Sequence, residues 1–226
     1  MPVDELRHSL SDASAAVEAL SRRLQGRLLH GERELVDHVR ITMRRFEEVM
    51  DALIAYERAT EPIELEAVDL NDLMATAIEF HADELRPGDE VDIAHLPTVP
   101  GDKALLLAMF RPLVENAIKY RHPGRALRID VRPERVDHAV WRLVVEDNGI
   151  GIDPDNAEHV FEMFERGDPN RLPGQGLGLA AARRIAEAHG GMISAEPQQQ
   201  GTAIHVLLPG LPDPRPGRPG RSSPRG

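Results

Sequence analysis

Apolar residues recur at alternating spacings of four and three near the start of the chain. Leu6, Leu10, Ala13, Val17, Leu20 and Leu24 form one run, and Leu35, Val39, Thr42, Phe46, Val49 and Leu53 form a second. This spacing keeps one face of a helix apolar and predicts two long helices within residues 4–58, with Met43, Met50 and Ile54 widening the second stripe. Gln25-Gly26 and His30-Gly31 interrupt the pattern, so the simplest arrangement is an antiparallel hairpin. Two helices cannot close a core alone, and pairing of two chains into a four-helix bundle would bury both seams. A hairpin packed on the remainder of its own chain is the competing arrangement. Thr60-Glu61-Pro62 ends the helical pattern and opens a linker.

Beyond the linker the periodicity changes. Asp69-Leu70-Asn71 reads as the cap of a helix carrying Leu73, Ala77, Ile78, Phe80 and Leu85 on its buried side. Strand-like runs follow at 90–94, 126–131, 140–146, 191–195 and 202–208, with helices at 103–120 and 177–189. Hairpin-connected strands mixed with helices predict an α+β fold in which helices cover one face of a sheet. The divisions that follow are a helical hairpin at 1–60, a linker at 61–68, an α/β sandwich at 69–208 and a tail at 209–226. That tail is rich in Pro, Gly and Arg and too poor in apolar groups to offset the entropy of ordering, so disorder is expected.

Composition narrows the function classes. A hydrophobic content of 41% suffices for a core, while a net charge of −11 with no basic stripe in the folded part argues against a general nucleic-acid or anionic-membrane binder. With no cysteine, disulfides and thiolate metal sites are excluded. No run approaches the ~18 apolar residues of a membrane span, and the N-terminus lacks the basic start and apolar core of a signal peptide. A cytoplasmic location is expected.

Three short motifs follow one another: Leu113-Val114-Glu115-Asn116-Ala117-Ile118-Lys119-Tyr120, then Asp147-Asn148-Gly149-Ile150-Gly151, then Gly174-Gln175-Gly176-Leu177-Gly178. Singly each has an ordinary explanation: an amphipathic helix, a turn, a flexible helix start. In this order, with Phe161 and Phe164 between the second and third, they resemble the ATP-binding catalytic domain of two-component sensor histidine kinases, particularly the phytochrome-like branch, over roughly residues 68–208.

The resemblance implies a site for ATP and Mg²⁺. Asn116 takes the role of metal ligand, through an amide oxygen, and Lys119 and Tyr120, with Arg121 nearby, that of donors to phosphate oxygens. Asp147 becomes the acceptor for the adenine amino group, with Gly149 and Gly151 letting backbone pass close to the base. Gly174, Gly176, Leu177 and Gly178 open a helix whose amides face the phosphates. Residues 166–173 become a lid based on Phe161 and Phe164, although both aromatics could equally be core. One position departs from the family pattern: Pro112 stands where a second polar group usually shares the metal, four residues before Asn116. Glu115 lies about 100° around the helix from Asn116.

His8 is the candidate phosphoacceptor, on the face opposite the seam. Ser9 replaces the acidic residue and Ala13 the proline that usually follow that histidine. The expectation is therefore a soluble, sensor-less histidine kinase, homodimeric, that autophosphorylates on His8 and passes the phosphate to a response-regulator aspartate. A separate sensor protein is a further expected partner. The alternative is a catalytically degenerate docking or phosphotransfer module, motivated by Pro112, Ser9 and Ala13. An anti-sigma-type serine kinase is disfavoured by the hairpin.

Overall fold

The structure is a computed structural model, and it describes residues 2–24, 30–163 and 176–211. Two long helices come first, α1 (Pro2–Leu24) and α2 (His30–Arg58), and they pack against each other as a hairpin. On α2 the predicted seam is partly uncovered within one chain: Leu35 is 66%, Phe46 53% and Val39 40% exposed. The C-terminal end of the same helix is not. Ala55 and Ala59 join the main core, and α2 packs on the two helices that flank the cavity described below.

The remainder is a layer of helices on a twisted sheet. Strand β1 (Glu66–Asp69) pairs antiparallel with β3 (Thr98–Gly101) in a small ribbon, between which lie α3 (Leu70–Glu79) and β2 (Glu90–Ile93). Helix α4 (Lys103–Lys119) then crosses to β4 (Arg128–Arg135), which runs parallel to β2. Strands β5 (Val140–Asp147), β6 (Met192–Pro197) and β7 (Thr202–Pro209) complete a five-stranded sheet of order β2-β4-β5-β7-β6, with α5 (Gly178–Ala188) between β5 and β6. All pairs except β2–β4 are antiparallel. The mixed sheet and its helices form the expected α/β sandwich.

Local chemistry explains the elements that place the cavity. Asp102 caps α4, its Oδ1 accepting from the amides of Ala104 and Leu105 at 3.0 Å each. Along α4 the pairs Leu105–Leu106, Met109–Phe110, Leu113–Val114 and Ala117–Ile118 are all buried, a stripe that recurs once per turn and faces the sheet. Asn116 and Lys119 lie on its half-buried flank. The helix continues through Pro112 without a break. On β5, Leu143 and Val145 face the core while Arg142 and Glu146 face outward, joining an ion-pair network with Arg132, Asp130 and Glu134.

Several sequence expectations need correction. Helix α3 ends at Glu79, so Phe80 is not on its buried side; it is 56% exposed and lies under the Arg111 guanidinium, 4.8 Å from ring centroid to Cζ. Leu85 follows a separate 3-10 turn, Ala82–Glu84, rather than continuing the helix. Strand β4 extends past the expected residue 131 to Arg135 and includes Pro133. It can do so because β2 ends opposite Val131, leaving residues 132–135 with a neighbour on one side alone, where a missing N–H is tolerated. The ribbon β1–β3 was not anticipated: each strand has four residues and little alternation.

Candidate functional site

The half-exposed flank of α4, the C-terminal end of β5 and the start of α5 enclose one cavity of about 1550 Å³. Asn116, Lys119 and Tyr120 line it from α4, Asp147 and Gly151 from the end of β5, and Gly176, Leu177 and Gly178 from the start of α5. The three motifs, separated in sequence by up to about sixty residues, therefore converge. Gly174, Phe164 and residues 166–173 lie outside the described residues. The wall opposite is formed by α2, with Arg40, Ile41, Glu48, Asp51, Ala52 and Arg58 among its residues. Two ion pairs tie that wall to the sandwich: Arg58 to Asp102 at 2.6 Å and Arg111 to Asp51 at 3.4 Å.

Asp147 is the last residue of β5, and its Oδ1 accepts from the Gly149 amide at 2.7 Å. Burial pushes its carboxyl up to about 6, and the neighbouring Glu146 adds to the rise. The amides of Gly149 and Thr202 and the Arg125 cation act in the other direction. Gly149 has no room for a side chain, because a Cβ would collide with the Tyr120 carbonyl and stand 2.8 Å from Asp147 Oδ1. Ile150 donates its amide to that same Tyr120 carbonyl at 2.9 Å, which pins the loop after β5 to the C-terminal end of α4.

On α4, Glu115 lies between Arg111 and Lys119, one turn away on either side, and lines the cavity with them. Burial raises its carboxyl above the usual range, and the two cations oppose the rise. Lys119 sits 5.4 Å from the Tyr120 ring centroid. Arg121, expected near phosphate, lines the cavity, and its guanidinium is also engaged by the fold. It pairs with buried Asp89 at 2.8 Å and donates to the carbonyls of Ile118 and Glu84 at 2.9 Å each. Phe161 is buried in the main core. Pro112 packs on the third motif, since a Cβ on Gly178 would lie 3.0 Å from that of Pro112. Among the described residues no side chain caps the start of α5, whose first residue, Gly178, lines the cavity with Leu177. His8 belongs to α1, and its side chain is outside the described residues.

The arrangement suits a nucleotide. A half-buried acid beside close-packed glycines can accept from an exocyclic amine, and the amides at the start of α5 with Lys119 can receive phosphate oxygens. Asn116 and Glu115 offer one amide and one carboxylate oxygen. That set is suited to a Mg²⁺ ion that takes most of its ligands from phosphate and water. Among the described residues no group of three or more His, Asp or Glu is placed to hold a metal unaided. Sequence reasoning overlooked Arg125 and Gly201, and it offered the packing of α2 on its own chain as the competing arrangement without placing it at the cavity. The two residues lie in turns of ordinary composition, and the place of α2 depends on how the hairpin docks.

Comparison with known proteins bears on the same residues. The sequence model of the family described as histidine kinase-, DNA gyrase B- and HSP90-like ATPase matches residues 101–212. The sensor protein SphS of Synechococcus elongatus is 32% identical over 93% of this chain, which spans 54% of SphS. The chain thus covers about half the length of that relative. The solved structure of the mycobacterial sensor histidine kinase MprB is 33% identical, with a TM-score of 0.56, over 66% of this chain and 99% of its own. At 20% identity the structure of the histidine kinase ThkA in complex with the response regulator TrrA shares the fold, with a TM-score of 0.64 over 94% of this chain and 62% of its own. The chain belongs to the two-component sensor histidine kinases, and its C-terminal sandwich is the ATPase-type catalytic domain of that family.

Proposed function

We propose that the chain is an ATP-dependent protein histidine kinase that phosphorylates His8 and passes the phosphoryl group to an aspartate of a response-regulator receiver domain. The observation that carries this reading is the convergence of Asn116, Lys119, Asp147 and the start of α5 on one cavity. In it Asp147 accepts from the adenine amino group, Lys119 and the α5 amides hold the phosphates, and Asn116 is the ligand that orients Mg²⁺. The ion would neutralise charge on the phosphates. His8 is the nucleophile, and the hairpin that carries it packs against the catalytic domain through α2. A receiver partner accords with the ThkA–TrrA complex. Incubated with labelled Mg-ATP, the wild type is expected to incorporate label and His8→Ala to lose nearly all of it. Equal labelling of the two would reject His8 as acceptor.

The exposed Leu35, Val39 and Phe46 support pairing of two hairpins into a four-helix bundle, since an apolar stripe of this length is rarely left in water. Light scattering on the full chain is expected to give twice the chain mass, with Val39→Glu/Phe46→Glu shifting it toward the monomer. A monomeric wild type at tens of micromolar would refute this assembly.

Pro112 favours a second reading, a nucleotide-binding or docking module without phosphotransfer. It lines the cavity and offers no metal ligand. The labelling assay separates the two: tight ATP binding with no label on wild-type protein would support the module.

A further inference from the structure

We propose that Arg125 is a positioning residue for base recognition: its guanidinium fixes the turn that follows β5, and so sets the preference of the cavity for adenine. This rests on the reading of Asp147 as the adenine acceptor.

Arg125 lies in the link between α4 and β4, away from all three sequence motifs. Two of its three nitrogens donate to the Asp147–Gly151 turn. Nε donates to the Asn148 carbonyl at 2.7 Å and one terminal nitrogen to the Gly149 carbonyl at 2.9 Å. The other terminal nitrogen donates to Gln200 Oε1 at 2.8 Å, which brings in the β6–β7 turn. A planar fork holding two successive carbonyls defines the orientation of the peptides between them, as a flexible ammonium cannot. One of those residues is Gly149, whose amide donates to Asp147 Oδ1. That amide shares its peptide plane with the Asn148 carbonyl, so holding the carbonyl at one edge of the plane aims the N–H, and with it the carboxylate, at the other. Asn148 closes the same link from its side chain, accepting from the Arg128 amide at 2.8 Å and donating to the Ala126 carbonyl at 3.0 Å.

Charge supports the geometry. Burial acts most on the Asp147 carboxylate, and among the described residues it is opposed by the amides of Gly149 and Thr202 and by the Arg125 cation, while the Glu146 anion beside it on β5 adds to the rise. Glu146 is itself paired with Arg132 of β4 at 2.9 Å, and among the described residues Arg125 is the cation that lowers the Asp147 carboxyl against burial. Removing it should raise the pH at which Asp147 stops accepting.

The test compares binding of ATP with binding of inosine triphosphate, which presents a carbonyl where adenine presents its amino group, by calorimetry on the full chain from pH 5 to 8. The wild type should prefer ATP and lose that preference as pH falls through about 6. Arg125→Met should weaken ATP roughly tenfold, the scale of a lost charge-assisted hydrogen bond. Binding of inosine triphosphate should change at most about twofold, and the midpoint for ATP should move to higher pH. Arg125→Lys, which keeps the charge but not the fork, should keep the midpoint and lose part of the preference. An unchanged preference and midpoint in Arg125→Met, while Asp147→Ala still abolishes ATP binding, would overturn the role of Arg125 and leave the nucleotide reading standing. If Asp147→Ala binds ATP like the wild type, that reading fails and the role of Arg125 with it. Should Arg125→Met not fold by circular dichroism, Arg125→Lys and Gln200→Ala decide, an unchanged preference in both counting against the proposal.

Discussion

Asp147→Asn should weaken ATP binding by on the order of 100-fold while making the nucleotide-free protein more stable. Both effects come from one half-buried carboxyl group. In the folded chain its pKa is about 6, against an ordinary value of 3.8, because burial disfavours the charged form more than the Gly149 and Thr202 amides and Arg125 favour it. A raised carboxyl means the folded state binds a proton that the unfolded state has released. The resulting penalty on folding is present in full above pH 6 and is relieved as pH falls toward 3.8. Two pH units at about 1.4 kcal/mol each set an upper bound near 3 kcal/mol, and partial solvent contact reduces it. Asparagine keeps the oxygen that accepts from the Gly149 amide and removes the charge, so urea denaturation at pH 8 should show a gain of about 1–3 kcal/mol, with a flatter pH dependence between 4 and 7. Its amide nitrogen, however, would donate toward an adenine amine that also donates. A variant that lost stability at pH 8, or bound ATP as the wild type does, would contradict the assignment.

That this residue could be found from sequence, whereas its supports could not, has a physical reason. Asp147, Asn116 and the glycines around residue 176 belong to contiguous motifs in which each residue type serves a local need, such as a ligand on a helix flank or a turn without Cβ. The helices were legible for a similar reason. The paired buried positions of α4 recur once per turn, and the cap at Asp69 marks where α3 begins. Short strands such as β1 and β3 carry too few residues to show alternation, and their pairing joins positions about thirty residues apart. Phe80 was misplaced because periodicity does not reveal that α3 stops one residue earlier. Arg121 and Arg125 are four residues apart, yet the first lines the cavity while paired with Asp89, and the second holds the carbonyls of the loop after β5. Only tertiary geometry separates them. The wall formed by α2 is likewise set by docking of the hairpin, through Ala55, Ala59 and the Arg58–Asp102 pair, and by no motif.

Gly201→Ala is expected to be among the most damaging single changes outside the motifs, lowering stability by about 3 kcal/mol or more and nucleotide affinity with it. Gly201 ends the turn between β6 and β7 at φ +88°, a conformation that costs an L-residue about 1 kcal/mol. The larger cost is steric. A Cβ at this position would collide with the Asp147 carbonyl oxygen and stand 2.6 Å from its carbonyl carbon and 2.8 Å from Asn148 Cα. These are backbone atoms, with no rotamer through which to move aside. Nor can β7 retreat freely, because its register with β5 runs without interruption from Thr202 opposite Asp147 to Pro209 opposite Val140. Relief has to come from the residues just after β5, the segment that carries the Asp147 carboxylate and that Arg125 holds from the other side. Thermal unfolding and ATP titration of Gly201→Ala should therefore fail together, with a fall in Tm of roughly 10 °C or more. Gly88→Ala is the control, since Gly88 has a similar φ of +94° with open space around its Cβ position, and it should cost only the conformational part while leaving ATP affinity unchanged. Equal losses in the two variants would show that backbone conformation alone, and not the close approach to Asp147, makes glycine necessary at position 201.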